Sequence, residues 1–194
     1  MENQDKKREL IIEAALKRFA HFGLAKTTMT EIASDLSLSK ALLYYYFPDK
    51  IDLYAAVLES LIEAGDVNVR EGLAKIDDSI DALYYYLNTR HEYLKKYYNI
   101  FEFIRSSAPE LPQQLCAVLN KAKKIEMEHI SLCIQKQSNI SISPEEAASL
   151  LFDAFLGMRI PVFHSKKTFL LDSEEFESLL ARQKQLGSIF LKGL

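Results

Sequence analysis

Apolar positions recur along this chain at intervals of three and four residues, the period of an α-helix with one buried face, and no stretch alternates with the period of two that marks a strand. The sharpest pattern is TTMTEIASDLSLSKALLYYYFPDK, residues 27–50. Thr28 and Glu31 have the spacing of a capping box, so a helix is expected to begin there. Met29, Ile32, Ala33 and Leu36 follow at i, i+3, i+4 and i+7 and form its buried face. Ser37-Leu38-Ser39 breaks the pattern, and Ser39 is placed to cap a second helix from Lys40 to about Phe47, where Pro48 stops it.

At about 100° per residue, Lys40, Ala41, Tyr44 and Tyr45 share one side of this second helix, while Leu42, Leu43, Tyr46 and Phe47 share the other. The second side is core. The first offers a cation, a small residue that permits close approach and two phenols, which suit phosphates and base edges in a DNA major groove. Asp49, with Asp52 three residues on, opens another helix and leaves Lys50 in its first turn, where the helix N-terminus and the lysine would both attract phosphate.

Across about residues 10–60 the ordered series A-x-x-x-F-x-x-x-G, T-T-x-x-x-I-A and S-K-x-x-L-Y-x-Y-F, followed by Lys50, resembles the DNA-binding domain of the TetR family of bacterial transcriptional regulators. The resemblance implies that Lys40, Ala41 and Leu42 face bases and that Thr28, Tyr44, Tyr45 and Lys50 hold the DNA backbone, with Thr27 and Ser39 in the same surface. Two positions depart from the family. Ser37 stands where glycine is common, which suits a turn of ordinary negative φ, and Ala41-Leu42 stands in place of glycine-threonine, so Leu42 would meet a thymine methyl instead of a hydrogen-bonding edge.

The flanking pattern completes an all-α chain of about nine helices. A first helix, about Asp5 to Phe22, carries Ile12, Ala15, Phe19 and Phe22 on one stripe and ends at Gly23. A fourth carries Tyr54, Val57, Leu58, Leu61, Ile62 and Gly65 to about Arg70. Ile80, Leu83, Tyr84, Leu87, His91, Leu94 and Tyr98 predict one long helix, Phe101, Phe103 and Ile104 a short one ending before Pro109, and Pro112 to about Gln137 another. Ser143-Pro144-Glu145-Glu146 is a strong start signal for an unusually apolar helix, in which Gly157 would allow close packing and which Pro161 ends or kinks. Asp172 and Glu175 open the last. The expected division is a three-helix helix-turn-helix DNA-binding domain over 1–50 and a larger helical ligand-binding and dimerisation domain over 51–194.

Charge adds little. The net charge of −3 is not that of a typical nucleic-acid binder. Residues 1–50 hold eight Lys/Arg and seven Asp/Glu, and the remainder sixteen and twenty, so only the first part is even slightly basic. Lys6-Lys7-Arg8 could reach phosphate as an arm or simply begin a solvated helix. With neither an apolar leader nor an 18-residue apolar run, the expected location is the cytoplasm, with no membrane partner.

Tyr84, Tyr85, Tyr86, Tyr93, Tyr97 and Tyr98 cover nearly every direction of the predicted long helix, so either plain aromatic packing or an internal cavity with phenol handles follows. The candidate lining is Tyr84, Tyr85, Tyr98, Phe101, Phe103, Cys116, Met127 and Phe155, the last five by resemblance, and it would suit an apolar or aromatic small molecule. By the same resemblance the last two helices form a homodimer interface, which would place two reading helices across a palindromic operator.

Enzyme chemistry finds no support. His21, His91, His129 and His164 are scattered, with no pair at metal-ligand spacing, and no glycine-rich phosphate loop exists, so no catalytic residue, metal or cofactor is expected. Cys116 and Cys133 lie 17 residues apart on one predicted helix, cannot bond each other there, and read as buried thiols. The expected function is a homodimeric, ligand-released repressor. An activator or ligand-independent DNA-binding protein is the first alternative, and a helical ligand-binding protein without DNA binding the second.

Overall fold

The computed structural model describes residues 2–107, 111–138, 140–164 and 174–194, which form helices and no strand. In chain order these are α1 Glu2–Lys26, α2 Met29–Asp35, α3 Lys40–Tyr46, α4 Lys50–Leu73, α5 Ser79–Lys96, α6 Tyr98–Ser107, α7 Gln113–Ile134, α8 Pro144–His164 and α9 Glu174–Lys192. The all-α class holds, with nine helices among the described residues. Pro109 and Asp172, expected to mark a helix end and a helix start, lie outside them. The chain divides into two compact units, Met1–Ala64 with Lys96–Asn120 and Gly65–Lys95 with Lys121–Leu194, so α4 and α7 each contribute to both.

In the first unit α1 breaks at Gly23, whose φ of 76° is in the left-handed region that favours glycine, and one further turn runs to Lys26. The buried stripe differs from expectation at its end. Ile12, Ala15 and Phe19 are buried, but Phe22 is half-exposed against the His21 ring, because Leu24 beyond the kink takes the interior place. The amide of Asn99 on α6 donates to the Ala20 carbonyl of α1 at 2.8 Å. Tyr54, fully buried, meets Phe19 and Phe103 edge-on at 5.7 Å, and its hydroxyl donates to the Ile100 carbonyl. Burial raises its pKa, which keeps that hydroxyl a donor.

The second unit packs Leu83, Tyr86 and Leu87 of α5, Ile130, Cys133 and Ile134 of α7, Leu151, Phe152 and Phe155 of α8 and Leu191 of α9 into one core. The predicted long stripe from Ile80 to Tyr98 is interrupted: α5 ends at Lys96 and Tyr98 opens α6. With the tail removed, the buried face becomes Ser79, Ala82, Leu83, Tyr86, Leu87 and His91, so Tyr86 and not Tyr84 enters the core. The Tyr85 ring lies so close to α4 that a Cβ at Gly72 would fall 2.0 Å from its hydroxyl, and one at Gly187 would fall 2.3 Å from Leu83. Gly157, expected to admit a neighbouring helix, has nothing within 4 Å of where its Cβ would be. Ser143 caps α8 by accepting from the Glu146 amide at 3.1 Å, and α8 carries Pro161 inside it as far as His164.

Candidate nucleic-acid interface

The reading head is assembled from local hydrogen bonds. The Thr28 hydroxyl oxygen accepts from the Glu31 amide at 3.3 Å, and the Glu31 carboxylate accepts from the Thr28 amide at 2.8 Å, which completes the expected capping box. The Thr28 hydroxyl, which donates to that carboxylate at 2.7 Å, and then the Thr28 amide hold the Glu31 carboxyl below its ordinary pKa, so it stays an anion. Met29, Ile32 and Ala33 are the buried face of α2. Arg18 on α1 grips α2 from outside, its Nε and Nη2 donating to the two Asp35 oxygens at 2.5 and 2.8 Å.

The turn corrects one expectation. Ser37 has a φ of 53°, not a negative one, and the Leu38 amide donates back to the Ala33 carbonyl at 2.9 Å, as in the left-handed helix termini where glycine is usual. Serine therefore occupies a glycine conformation. Two residues later the Ser39 hydroxyl oxygen caps α3 by accepting from the Leu42 amide at 3.2 Å, and the Asp49 carboxylate caps α4 by accepting from the Asp52 amide at 2.8 Å.

Along α3, Leu43 and the capping Phe47 are buried, Leu42 and Tyr46 are half-buried, and Lys40, Ala41, Tyr44 and Tyr45 are exposed together. The Lys40 ammonium lies 5.8 Å from the centre of the Tyr44 ring, and the Tyr45 hydroxyl accepts from the Gln4 amide at 3.0 Å. Tyr45 is 68 % exposed, more than the head's other exposed large hydrophobic side chains Leu10, Phe22 and Tyr44.

Two candidate contacts are occupied by the fold. Thr27 is fully buried and its hydroxyl donates to the Gly23 carbonyl at 2.9 Å, so it braces the α1 kink and cannot reach DNA. Lys50 turns inward, its ammonium donating to the Leu24 and Thr27 carbonyls at 2.8 and 3.0 Å, so two of its three donors secure the chain between α1 and α2. Lys6, Lys7 and Arg8 lie within α1 and form no separate arm, and the Arg8 guanidinium sits 5.2 Å over the Phe47 ring.

A compact helix-turn-helix with one open face on its second helix defines the class of protein, a DNA-binding regulator. Residues 11–57 match the family described as bacterial regulatory proteins, tetR family. Over 96 % of its length the chain is 31 % identical to a transcriptional regulator from Cytophaga hutchinsonii, superposing with a TM-score of 0.82 and covering 97 % of that structure. This chain belongs to the TetR family of bacterial transcriptional regulators. It is 42 % identical to the HTH-type transcriptional regulator RutR of Escherichia coli over 57 residues, which are 29 % of this chain and only 27 % of RutR. It is 24 % identical over 179 residues, 89 % of this chain and 77 % of the other, to IcaR of Staphylococcus aureus, named a negative transcriptional regulator of a biofilm operon. These relatives are transcriptional regulators and not enzymes.

The candidate ligand residues are drawn from both units. Tyr98, Phe101, Phe103 and Cys116 belong to the first unit, and Tyr84, Tyr85, Met127 and Phe155 to the second. The Lys184 ammonium sits 5.6 Å from the centre of the Tyr84 ring, the Tyr85 hydroxyl donates to the Asn68 carbonyl at 3.4 Å, and Phe155 is fully buried in the core. Cys116 is exposed, contrary to the expectation of a buried thiol. Cys133 is buried, and burial pushes its thiol up to about 12, so it is no nucleophile despite His129 one turn away. A surface cavity of about 370 Å³ between α4, α7 and α8 is lined by Arg70, Met127, Glu128, Ser131 and Gln135 among others. Of the eight candidates, only Met127 lines it.

What sequence reasoning missed is a charged cluster inside the second unit. Glu126 of α7 accepts from Arg159 Nη1 of α8 at 2.8 Å and from the Tyr86 hydroxyl of α5 at 3.3 Å, and Arg90 Nε of α5 stands 3.2 Å from its other oxygen. Burial opposes the Glu126 charge, but Arg159 and then Arg90 outweigh it and bring its pKa down to about 2. Next to it, His129 Nε2 donates to the Asp66 carboxylate at 2.7 Å, and Arg70 joins Asp66 to Glu128. The available signal was Arg159 itself, a lone charge in the apolar arc of α8.

Proposed function

We propose that this regulator is a homodimeric repressor that binds a palindromic operator and releases it when a small molecule occupies the second domain. The observation that carries the reading is the open face of α3, where Lys40, Ala41, Tyr44 and Tyr45 project together from a helix fixed at both ends. In this reading Lys40, Ala41 and Leu42 meet bases, Thr28, Ser39, Tyr44 and Tyr45 meet phosphate and sugar, and the last donor of Lys50 adds to the positive field.

Dimerisation through α8 and α9 is supported by apolar side chains left open there: Leu150, Leu156 and Ile160 on α8 and Ile189 on α9. Covering them against a second copy would place two reading heads on one palindrome. The likeness to IcaR, a negative regulator, supports repression. The domains divide in function near residue 50: the head reads DNA, and residues 51–194 dimerise and receive the effector in the bacterial cytoplasm. α4, which begins at Lys50 in one unit and ends at Leu73 in the other, is the natural lever. Release requires an effector that binds the arrangement unsuited to DNA more tightly than the one suited to it.

The experiment is selection of bound duplexes from a random pool by the purified protein at two salt concentrations. A recovered palindrome whose binding weakens steeply with salt is the expected result. Weak binding indifferent to sequence would reject the operator reading and favour a helical ligand-binding protein.

A further inference from the structure

We infer that Arg159 receives the carboxylate of the small molecule that regulates this protein, an acid with an apolar or aromatic body. This rests on the effector-released reading above and names the chemistry of its ligand. Arg159 is 5 % exposed; its Nη1 donates to the Glu126 oxygen at 2.8 Å, and the Tyr86 hydroxyl stands beside the guanidinium. Its Nε and Nη2 are buried and meet no acceptor among the described residues. Buried donors left unpaired are costly, and a site that keeps them is built to be completed.

Which two atoms remain matters. Nε and Nη2 lie on the same edge of a guanidinium and point their N–H bonds in parallel, the fork that fits both oxygens of one carboxylate. This molecule already uses that fork on its surface, where Arg18 holds Asp35 through the same two atoms at 2.5 and 2.8 Å. At Arg159 the same two atoms are turned inward, buried and without an acceptor among the described residues.

Charge points the same way. Arg90 and Arg159 share a single carboxylate, Glu126, and Tyr86 is kept neutral because burial raises its pKa, so the group carries one excess positive charge. A water molecule would satisfy a donor and leave that charge, whereas a monoanion satisfies both donors and cancels it. The surroundings describe the rest of the ligand. Tyr86 lies one turn from Arg90 and Phe155 one turn from Arg159, so the ionic group borders aromatic side chains of the same core.

The test uses the full-length protein with its selected operator and two matched pairs of probes, benzoate with benzamide and hexanoate with hexanamide. Binding is read by thermal shift and operator release by fluorescence anisotropy, for the wild type and for Arg159→Lys, which keeps the charge beside Glu126 but loses the fork. The expected result is that each acid binds the wild type at least about tenfold more tightly than its amide and loosens the operator, and that Arg159→Lys loses the preference while still binding DNA. Equal affinity of acid and amide for the wild type, or an acid preference that survives in Arg159→Lys, would overturn the inference. If Arg159→Lys does not fold, the wild-type acid and amide comparison decides alone. Operator release by the amides as readily as by the acids overturns the carboxylate site and leaves the repressor reading standing. Acid binding through Arg159 that never moves operator affinity upholds the site and overturns the effector reading.

Discussion

The reading head and the core of the second unit treat polar groups in opposite ways. In the head, the caps of α2, α3 and α4 are each made by residues three apart, Thr28 with Glu31, Ser39 with Leu42 and Asp49 with Asp52, and all are at the surface. In the second unit, Glu126, its side chain 24 % exposed, is joined to residues 33 and 40 positions away, on two other helices. Surface caps place a rigid DNA-facing helix at small individual cost and can be exchanged one at a time. A largely covered ion group brings three helices into one arrangement and is costly to leave incomplete.

The sharpest way to break that comparison is Glu126→Leu. It removes the single carboxylate between two arginines and leaves their charges uncompensated, so a loss of about 3–5 kcal/mol is expected in urea unfolding. A loss within about 0.5 kcal/mol, the ordinary range for surface substitutions, would place the cluster in water and remove the contrast.

The head should respond through binding instead. Lys40→Ala with Tyr44→Phe removes one cation and one hydroxyl from the open face of α3, so the operator complex should weaken by about 1–3 kcal/mol and its salt dependence should flatten. Folding stability should hardly move. Unchanged affinity in an electrophoretic or anisotropy titration would remove this face from the DNA contact.

The same contrast explains what could be read from sequence. The capping boxes, the i, i+3, i+4 faces and Gly23 are statements about neighbours in the chain, so the head was legible down to the residue that caps each helix. Thr27 and Lys50 were misplaced because motif position does not say which way a side chain turns, and both turn toward the α1 kink. Arg90, Glu126 and Arg159 were invisible as a group, since their meeting depends on how α5, α7 and α8 pack. Tyr84 was preferred to Tyr86 because the stripe was carried past the end of α5 at Lys96.

Within the head, Ser37 isolates a backbone effect. Its φ of 53° costs a side-chain-bearing residue about 1 kcal/mol, while glycine gives back part of that by loosening the unfolded chain. Ser37→Gly should therefore stabilise the head by about 0.5 kcal/mol in thermal unfolding. A destabilised variant would mean that the serine hydroxyl contributes more to the turn than its backbone costs.

The mildest contrast lies in acid. His129 is held below its ordinary pKa of 6.5 because burial disfavours its charge more than the bond to Asp66 favours it, with Arg70 opposing and Glu126 assisting protonation. Below pH 6.5 the unfolded chain therefore binds a proton that the folded chain refuses, so stability is complete above that value and declines as the pH falls. Glu126 acts lower down. Its carboxyl ionises near 2 in the fold against an ordinary 4.5, so its contribution is complete above 4.5 and is lost as the pH falls toward 2. Urea midpoints at pH 7.5, 5.5 and 3.5 should thus fall in two steps, and His129→Gln should remove the first step and keep the second. A midpoint that does not move between pH 7.5 and 5.5 would mean that the ring is charged against Asp66 in the fold, and the second unit would then bury one more ion pair than its neutral histidine implies.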